Sequence, residues 1–402
     1  MPVDRISPTR RLRVALVVGA GALLAAACSS SGGAQATAPG AVDAPVSVPV
    51  SSVATTTVPA TPPPPASTVT TSTTQPGPAR CLAAAPLSRL AARLVVATAS
   101  QGGLPAVVDA VAADRLGGVV VIGDADAGIG EALAPLAGHS PTPVIAVDEE
   151  GGAVQRLEAV IGAAPSARRL ARLDDPAATR DEARERARAV AALGFTVVLA
   201  PVADVGVSAG LRSRTFGDDP EVVATQAAAF AAGLSEGGVL AVAKHFPGHG
   251  ATPDDSHRRL PVTTPLDEMR TRDLVPFARL ADRVPVVMVG HLVVPGLTGD
   301  LPATFSPAAV ALLRDEMSFD GVIMSDDLSM GALSAWTVPE AAVLAVAAGQ
   351  DLVIAGGLDT ASASVTALER AVVSGALDRS RLEEAAGRIL AAFGDDPCTL
   401  GL

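Results

Sequence analysis

Tyrosine is absent from the 402-residue chain, tryptophan occurs once, and aromatic residues together make up 2% of it. A binding site walled by stacked rings is thereby excluded, so a small polar ligand must be held by polar side chains. Lysine is almost as scarce: Lys244 is the only one, and arginine supplies every other strong positive charge. The net charge is −12, with no basic cluster beyond the first residues, which argues against nucleic acid or an anionic membrane surface as a partner. Three cysteines are too few for a disulfide-rich scaffold, and their positions offer no set of metal ligands. What abounds is apolar residue, 49% of the chain, enough for a large core.

The chain opens like an exported protein. Arg5, Arg10, Arg11 and Arg13 precede an apolar run over 14–24 that is short for a membrane span, and Ala25-Ala26-Ala27-Cys28 offers a small-residue cleavage site. The pattern resembles a bacterial lipobox, so residues 1–27 are read as a lipoprotein signal peptide and Cys28 as the lipidated first residue of the mature chain, with simple secretion as the alternative. Residues 28–80, almost entirely Ser, Thr, Pro, Ala, Val and Gly, cannot bury enough apolar surface to offset their ordering entropy. They are expected to form a disordered tether with a reach of roughly 40 Å. Cys81 at its end and Cys398 near the C-terminus are expected to pair as a clasp between the ends of the folded part.

From residue 81 onward one unit repeats about eight times. Apolar strand-like runs are read at 94–97, 118–122, 144–147, 196–200, 239–243, 286–289, 321–324 and 352–355, with helices clearest at 175–193, 220–236, 339–348, 361–373 and 379–393. Continuous apolar strands alternating with helices predict a parallel sheet covered on its outer face, and eight units predict a closed α/β barrel, a single (β/α)8 fold over 81–402. A doubly wound open sheet is the competitor, but no glycine-rich dinucleotide turn follows the first strand.

In such a barrel chemistry gathers where strands end. There stand Asp148-Glu149-Glu150-Gly151-Gly152-Ala153-Val154-Gln155-Arg156, then Asp204, Arg212, Arg214 and Asp218, then Lys244-His245-Phe246-Pro247-Gly248-His249-Gly250, then His291, and finally Ser325-Asp326-Asp327-Leu328-Ser329-Met330. The Lys244 stretch is read as a strand end followed by a long polar loop that includes Asp255-Ser256-His257. His139, before the run at 144–147, is read as a solvated side chain.

These motifs, five in register over residues 85 to 395, resemble glycoside hydrolase family 3, specifically its β-N-acetylglucosaminidase branch, in a bacterial, actinobacterial-type lipoprotein member. Ala153 departs from the branch, which commonly has arginine there. The resemblance implies that Asp326 is the nucleophile of a retaining glycosidase, attacking the anomeric carbon. Many relatives recruit a glutamate acid from a second domain; with no such domain expected here, the proton donor must come from a barrel loop. The resemblance assigns that role to His257, with Asp255 accepting from one ring nitrogen and fixing the tautomer. It further implies that Asp148, Lys244 and His245 meet sugar hydroxyls and that Arg156 and Arg214 orient the sugar and its N-acetyl group. His249 and His291 are left between direct contact and support. A cis peptide is expected at Phe246-Pro247, since X-Pro bonds tolerate it best.

The expected function is therefore exo-acting release of terminal GlcNAc from peptidoglycan fragments outside the membrane. The expected enzyme is a monomer held to the membrane only by its N-terminal lipid, with no metal or other cofactor and no nucleic acid partner. Two readings compete: a phosphorylase, because a neutral histidine repels incoming phosphate less than a glutamate would, and a non-catalytic sugar-binding lipoprotein.

Overall fold

The computed structural model describes residues 77–401, apart from 207, 209, 210, 253 and 254. The expected signal peptide, Cys28 and the tether as far as residue 76 lie outside the described residues.

Eight parallel strands form a closed barrel in chain order: β1 (Val95–Ala99), β2 (Gly118–Val121), β3 (Val144–Val147), β4 (Val197–Val198), β5 (Leu240–Phe246), β6 (Val286–Val289), β7 (Val322–Asp327) and β8 (Leu352–Ile354). The sheet closes where Val95 and Val96 of β1 stand opposite Val353 and Ile354 of β8, which removes the open-sheet alternative. The apolar strands are buried on both faces because helices cover the outside and side chains fill the interior.

The helices begin where the sequence supplies caps. Asp175 accepts the amides of Ala177 and Ala178 at the start of Pro176–Ala192, and Asp219 does the same for Glu221 and Val222 at the start of Pro220–Glu236. Each has proline at the first helical position, where a missing N–H costs nothing. Thr337 and Glu340 close a capping box at the head of Val338–Ala348.

Two strands run further than the apolar pattern predicted. Lys244, His245 and Phe246, which follow the apolar run at 239–243 and open the stretch read as a strand end with a polar loop, are all within β5, and Asp326, expected just past its strand, lies inside β7. The physical reason is Phe246, fully buried edge-to-face on Phe277 with ring centroids 5.3 Å apart, which carries β5 past its charged pair. Pairing with β6 shifts register between Ala243 and Phe246. The peptide bonds Lys244-His245 and Phe246-Pro247 are both cis. Conversely β4 is shorter than expected, since Pro201 has no N–H to continue the ladder.

One end of the barrel is shut. Ile389 and Phe393 of the helix Arg379–Phe393 lie against the first residues of the strands. Cys81 and Cys398 are joined by a disulfide that ties the helix Pro78–Ala84 to the C-terminal turn Pro397–Gly401 across 317 residues of sequence. Removing this link by Cys81→Ser with Cys398→Ser is expected to lower the unfolding free energy by about 2–4 kcal/mol, because the unfolded chain regains loop entropy. Denaturant titration of oxidised and double-serine proteins checks this; equal midpoints would contradict it. With that end closed, the barrel interior opens at its other end.

Candidate active site

The open end holds a cavity of about 520 Å³ whose lining includes Asp148, Arg156, Arg214, Lys244, His245, His249, Asp255, His257 and Asp326. Of the residues singled out in the sequence for the site, these nine meet there and His291 does not.

Side-chain alternation explains the charge cluster on one wall. After β3 the chain stays extended through the short hairpin Glu149–Gly151 and Val154–Gln155, so Asp148 and Glu150 share a face while Glu149 turns away. Glu149 is paired behind the wall with Arg186 at 3.0 Å, and burial pushes its carboxyl up against that partner's pull. On the cavity side Lys244 Nζ stands 2.6 Å from both Asp148 Oδ1 and Glu150 Oε1. Glu150 also receives a two-pronged contact from Arg214, Nε to Oε2 at 2.7 Å and Nη2 to Oε1 at 2.8 Å. Burial alone would raise the Glu150 carboxyl, but the two cations hold it down to about 2. The ammonium in turn is raised by Asp148 and Glu150 in spite of its own burial. Lys244 and Arg214 were expected to face sugar directly; both are engaged by Glu150, to which sequence reasoning had given no role. The signal was available in the period of two that sets Glu150 beside Asp148. The hairpin also returns Arg156 to the rim, its N–H on the Asp148 carbonyl and its Nη1 3.8 Å from the exposed Asp124.

A second buried acid organises the histidines. Asp204 Oδ2 lies 2.8 Å from His245 Nδ1, and Oδ1 accepts the His249 N–H. Burial pushes the Asp204 carboxyl up, and the two histidines overcome this and hold it below the usual range. His249 Nδ1 meets the Thr252 hydroxyl at 2.7 Å, and burial lowers the affinity of this ring for a proton. His291 is wholly buried behind the wall, with Nδ1 at 2.6 Å from Thr304 Oγ1 and Nε2 at 2.9 Å from the Asp327 carbonyl. It braces the turn after β7. His139, expected to be solvated, instead packs between the carbonyls of Ala112 and Pro141, each at 3.2 Å.

Asp326 reaches the cavity from the end of β7, with Oδ1 accepting the Asp327 N–H at 2.8 Å. Its burial would favour the neutral acid, but the His245 and His291 rings, the Asp327 amide and the Lys244 ammonium outweigh that and keep it low. The group is thus a carboxylate at neutral pH, as a nucleophile or a charge stabiliser requires. On the facing loop, His257 Nδ1 is 2.8 Å from Asp255 Oδ1, which also accepts the His257 N–H at 3.0 Å. Asp255 is held low by those two contacts against a smaller opposing effect of burial than a core carboxylate feels. With Nδ1–H donated to the carboxylate, Nε2 is left for proton exchange. Among the described residues no group of three or more His, Cys, Asp or Glu is arranged to hold a metal ion.

Beneath the wall lies an acid the sequence did not single out. Asp273 is fully buried, both of its oxygens lack a hydrogen-bond partner, and it abuts Gly248, which has a φ of +135° and where a Cβ would lie 2.6 Å from the Asp273 Cβ, leaving no room for a side chain. Burial and the nearby Asp204 push its carboxyl up to about 6, against the pull of Arg272 3.6 Å away. The folded protein therefore keeps this proton to a higher pH than the unfolded chain does. Folding stability should fall by on the order of 2–3 kcal/mol as pH rises from about 4 to about 6. Asp273→Asn, which cannot ionise, should flatten that part of the stability profile; melting curves with the same pH slope in both proteins would refute this.

The glycosyl hydrolase family 3 N-terminal domain model matches residues 130–392. The beta-hexosaminidase LpqI of Mycobacterium tuberculosis is 39% identical over 405 residues, covering 96% of this chain and 98% of that protein. The solved structure of M. tuberculosis LpqI superposes with a TM-score of 0.74 at 40% identity, covering 78% of this chain and 96% of that one. A family 3 β-N-acetylglucosaminidase structure from Paenibacillus sp. str. FPU-7 gives 0.72 at 32% identity over 77% of this chain and 62% of that one. With an eight-stranded barrel, an acidic rim and these relatives in agreement, the chain belongs to glycosyl hydrolase family 3 and is a glycoside hydrolase, a β-N-acetylhexosaminidase.

Proposed function

We propose that this enzyme is an exo-acting, retaining β-N-acetylglucosaminidase that removes terminal GlcNAc from peptidoglycan fragments. The observation that carries the reading is the sharing of one cavity by the Asp326 carboxylate and the Asp255-held His257. Asp326 attacks the anomeric carbon as the glycosidic bond breaks, and His257 Nε2 gives its proton to the departing oxygen. The same imidazole, now neutral, takes a proton from the water that releases the sugar from Asp326. Asp148 accepts from hydroxyls at the far edge of the ring, Lys244 and His245 meet that same edge, and Arg156 and Arg214 orient the sugar and its N-acetyl group. His249 and His291 keep the adjoining walls in place.

The leader-like residues 1–27 and Cys28 support a site of action outside the cytoplasmic membrane, with the lipid as the membrane contact; the working unit is read as a monomer. GlcNAc release from defined muropeptides, followed with and without phosphate, tests the reading. Free GlcNAc with net retention supports it, GlcNAc 1-phosphate favours a phosphorylase, and tight binding without turnover favours a binding protein.

A further inference from the structure

The loop that carries His257 sits on the turn that follows β7. Ala332 N–H donates to the Ser256 carbonyl at 3.0 Å, and both residues are buried. Beside that bond stands Gly331. A Cβ at this position would lie 2.5 Å from the His257 carbonyl oxygen, 3.0 Å from the Arg258 carbonyl oxygen and 3.1 Å from the Arg258 carbonyl carbon. All three are backbone atoms, which cannot swing aside as a side-chain tip can. Gly331 is not among the glycines with positive φ, so it is space and not conformation that calls for glycine here.

The turn is rigid from behind. Met330 N–H donates to the Asp327 carbonyl at 3.0 Å, Ser329 N–H to Asp327 Oδ1 at 2.9 Å, and His291 Nε2 holds the same carbonyl. On its other side the loop is pinned after β6, where Val293 N–H meets the Pro261 carbonyl at 2.9 Å and Thr263 N–H meets the Val293 carbonyl at 3.0 Å. The His257 side chain itself is 70% exposed. Where the ring stands over the cavity therefore depends on where its backbone is seated.

We propose that Gly331 is a positioning residue: by offering no Cβ, it lets the His257–Arg258 backbone dock on the exit of the strand that bears Asp326. Acid/base group and nucleophile are thereby referred to one rigid turn. The proposal rests on the reading of His257 as the acid/base. A methyl group at 331 lifts the loop and misplaces the proton donor while leaving Asp326 where it is.

The test compares Gly331→Ala, Ala332→Pro and His257→Ala on two GlcNAc β-glycosides, one with a dinitrophenyl and one with an alkyl leaving group. Ala332→Pro adds no atom at 331 and removes the N–H bond to Ser256 at the second position of the short 3-10 turn Gly331–Leu333. If Gly331→Ala fails to fold, it carries the comparison. On the alkyl glycoside, kcat/KM should fall on the order of 10²-fold in the two dock variants, with a change below about threefold on the dinitrophenyl glycoside. Equal losses on both substrates, or none on either, overturn the proposal. Leaving-group dependence in His257→Ala without it in the dock variants overturns the proposal alone; its absence in His257→Ala removes the acid/base reading and the proposal together.

Discussion

Asp326→Ala is expected to lower kcat on an aryl GlcNAc glycoside by on the order of 10⁴-fold or more, because the covalent intermediate can no longer form. The effect should not depend on the leaving group, since no departing alcohol, however acidic, supplies the missing nucleophile. Among the described residues the Asp326 side chain makes one hydrogen bond, accepting from the neighbouring Asp327 amide, so its removal should leave the barrel folded. Asp326→Asn keeps an oxygen for that amide and should be just as inactive, which separates loss of charge from loss of shape. Turnover at the parental rate by either variant, with unchanged melting, would sink the nucleophile assignment.

His257→Ala should behave differently. Its side chain is largely exposed and bound to Asp255, so folding should be unaffected. Loss of a positioned proton donor should cost roughly 10²–10⁴-fold in kcat/KM when the leaving group is an alkyl alcohol or a sugar. It should cost little when the leaving group is dinitrophenolate, which departs without a proton. Water attack on the glycosyl enzyme also loses its base, so the good substrate should show a burst followed by slow turnover. A uniform loss across leaving groups would reassign His257 to binding.

Much of this arrangement was legible in one dimension. Eight apolar runs separated by amphipathic segments imply a barrel, because only a sheet covered on both faces wants strands without alternation. All eight runs lie on the observed strands, although β5 and β7 run past the charges that seemed to end them. The overrun of β5 follows from Phe246 and its partner Phe277, some thirty positions apart, which no local pattern connects. The short hairpin after β3 was missed because its two arms are only three and two residues long. Glu150 and Asp204 were visible as acids at strand ends, yet their work of neutralising Lys244 and Arg214 and of holding His245 and His249 depends on who stands opposite.

The sequence by itself determined the fold class and the set of ionisable groups at the open end, since hydrophobic period and residue type are properties of the chain as written. Only the tertiary structure decided which of those groups pair with one another and which face the cavity. It alone singled out Asp273 as a buried acid whose oxygens accept no hydrogen bond and Gly331 as a place where a side chain has no room. Both are consequences of close approach between segments far apart in sequence, and close approach is a property of packing in three dimensions.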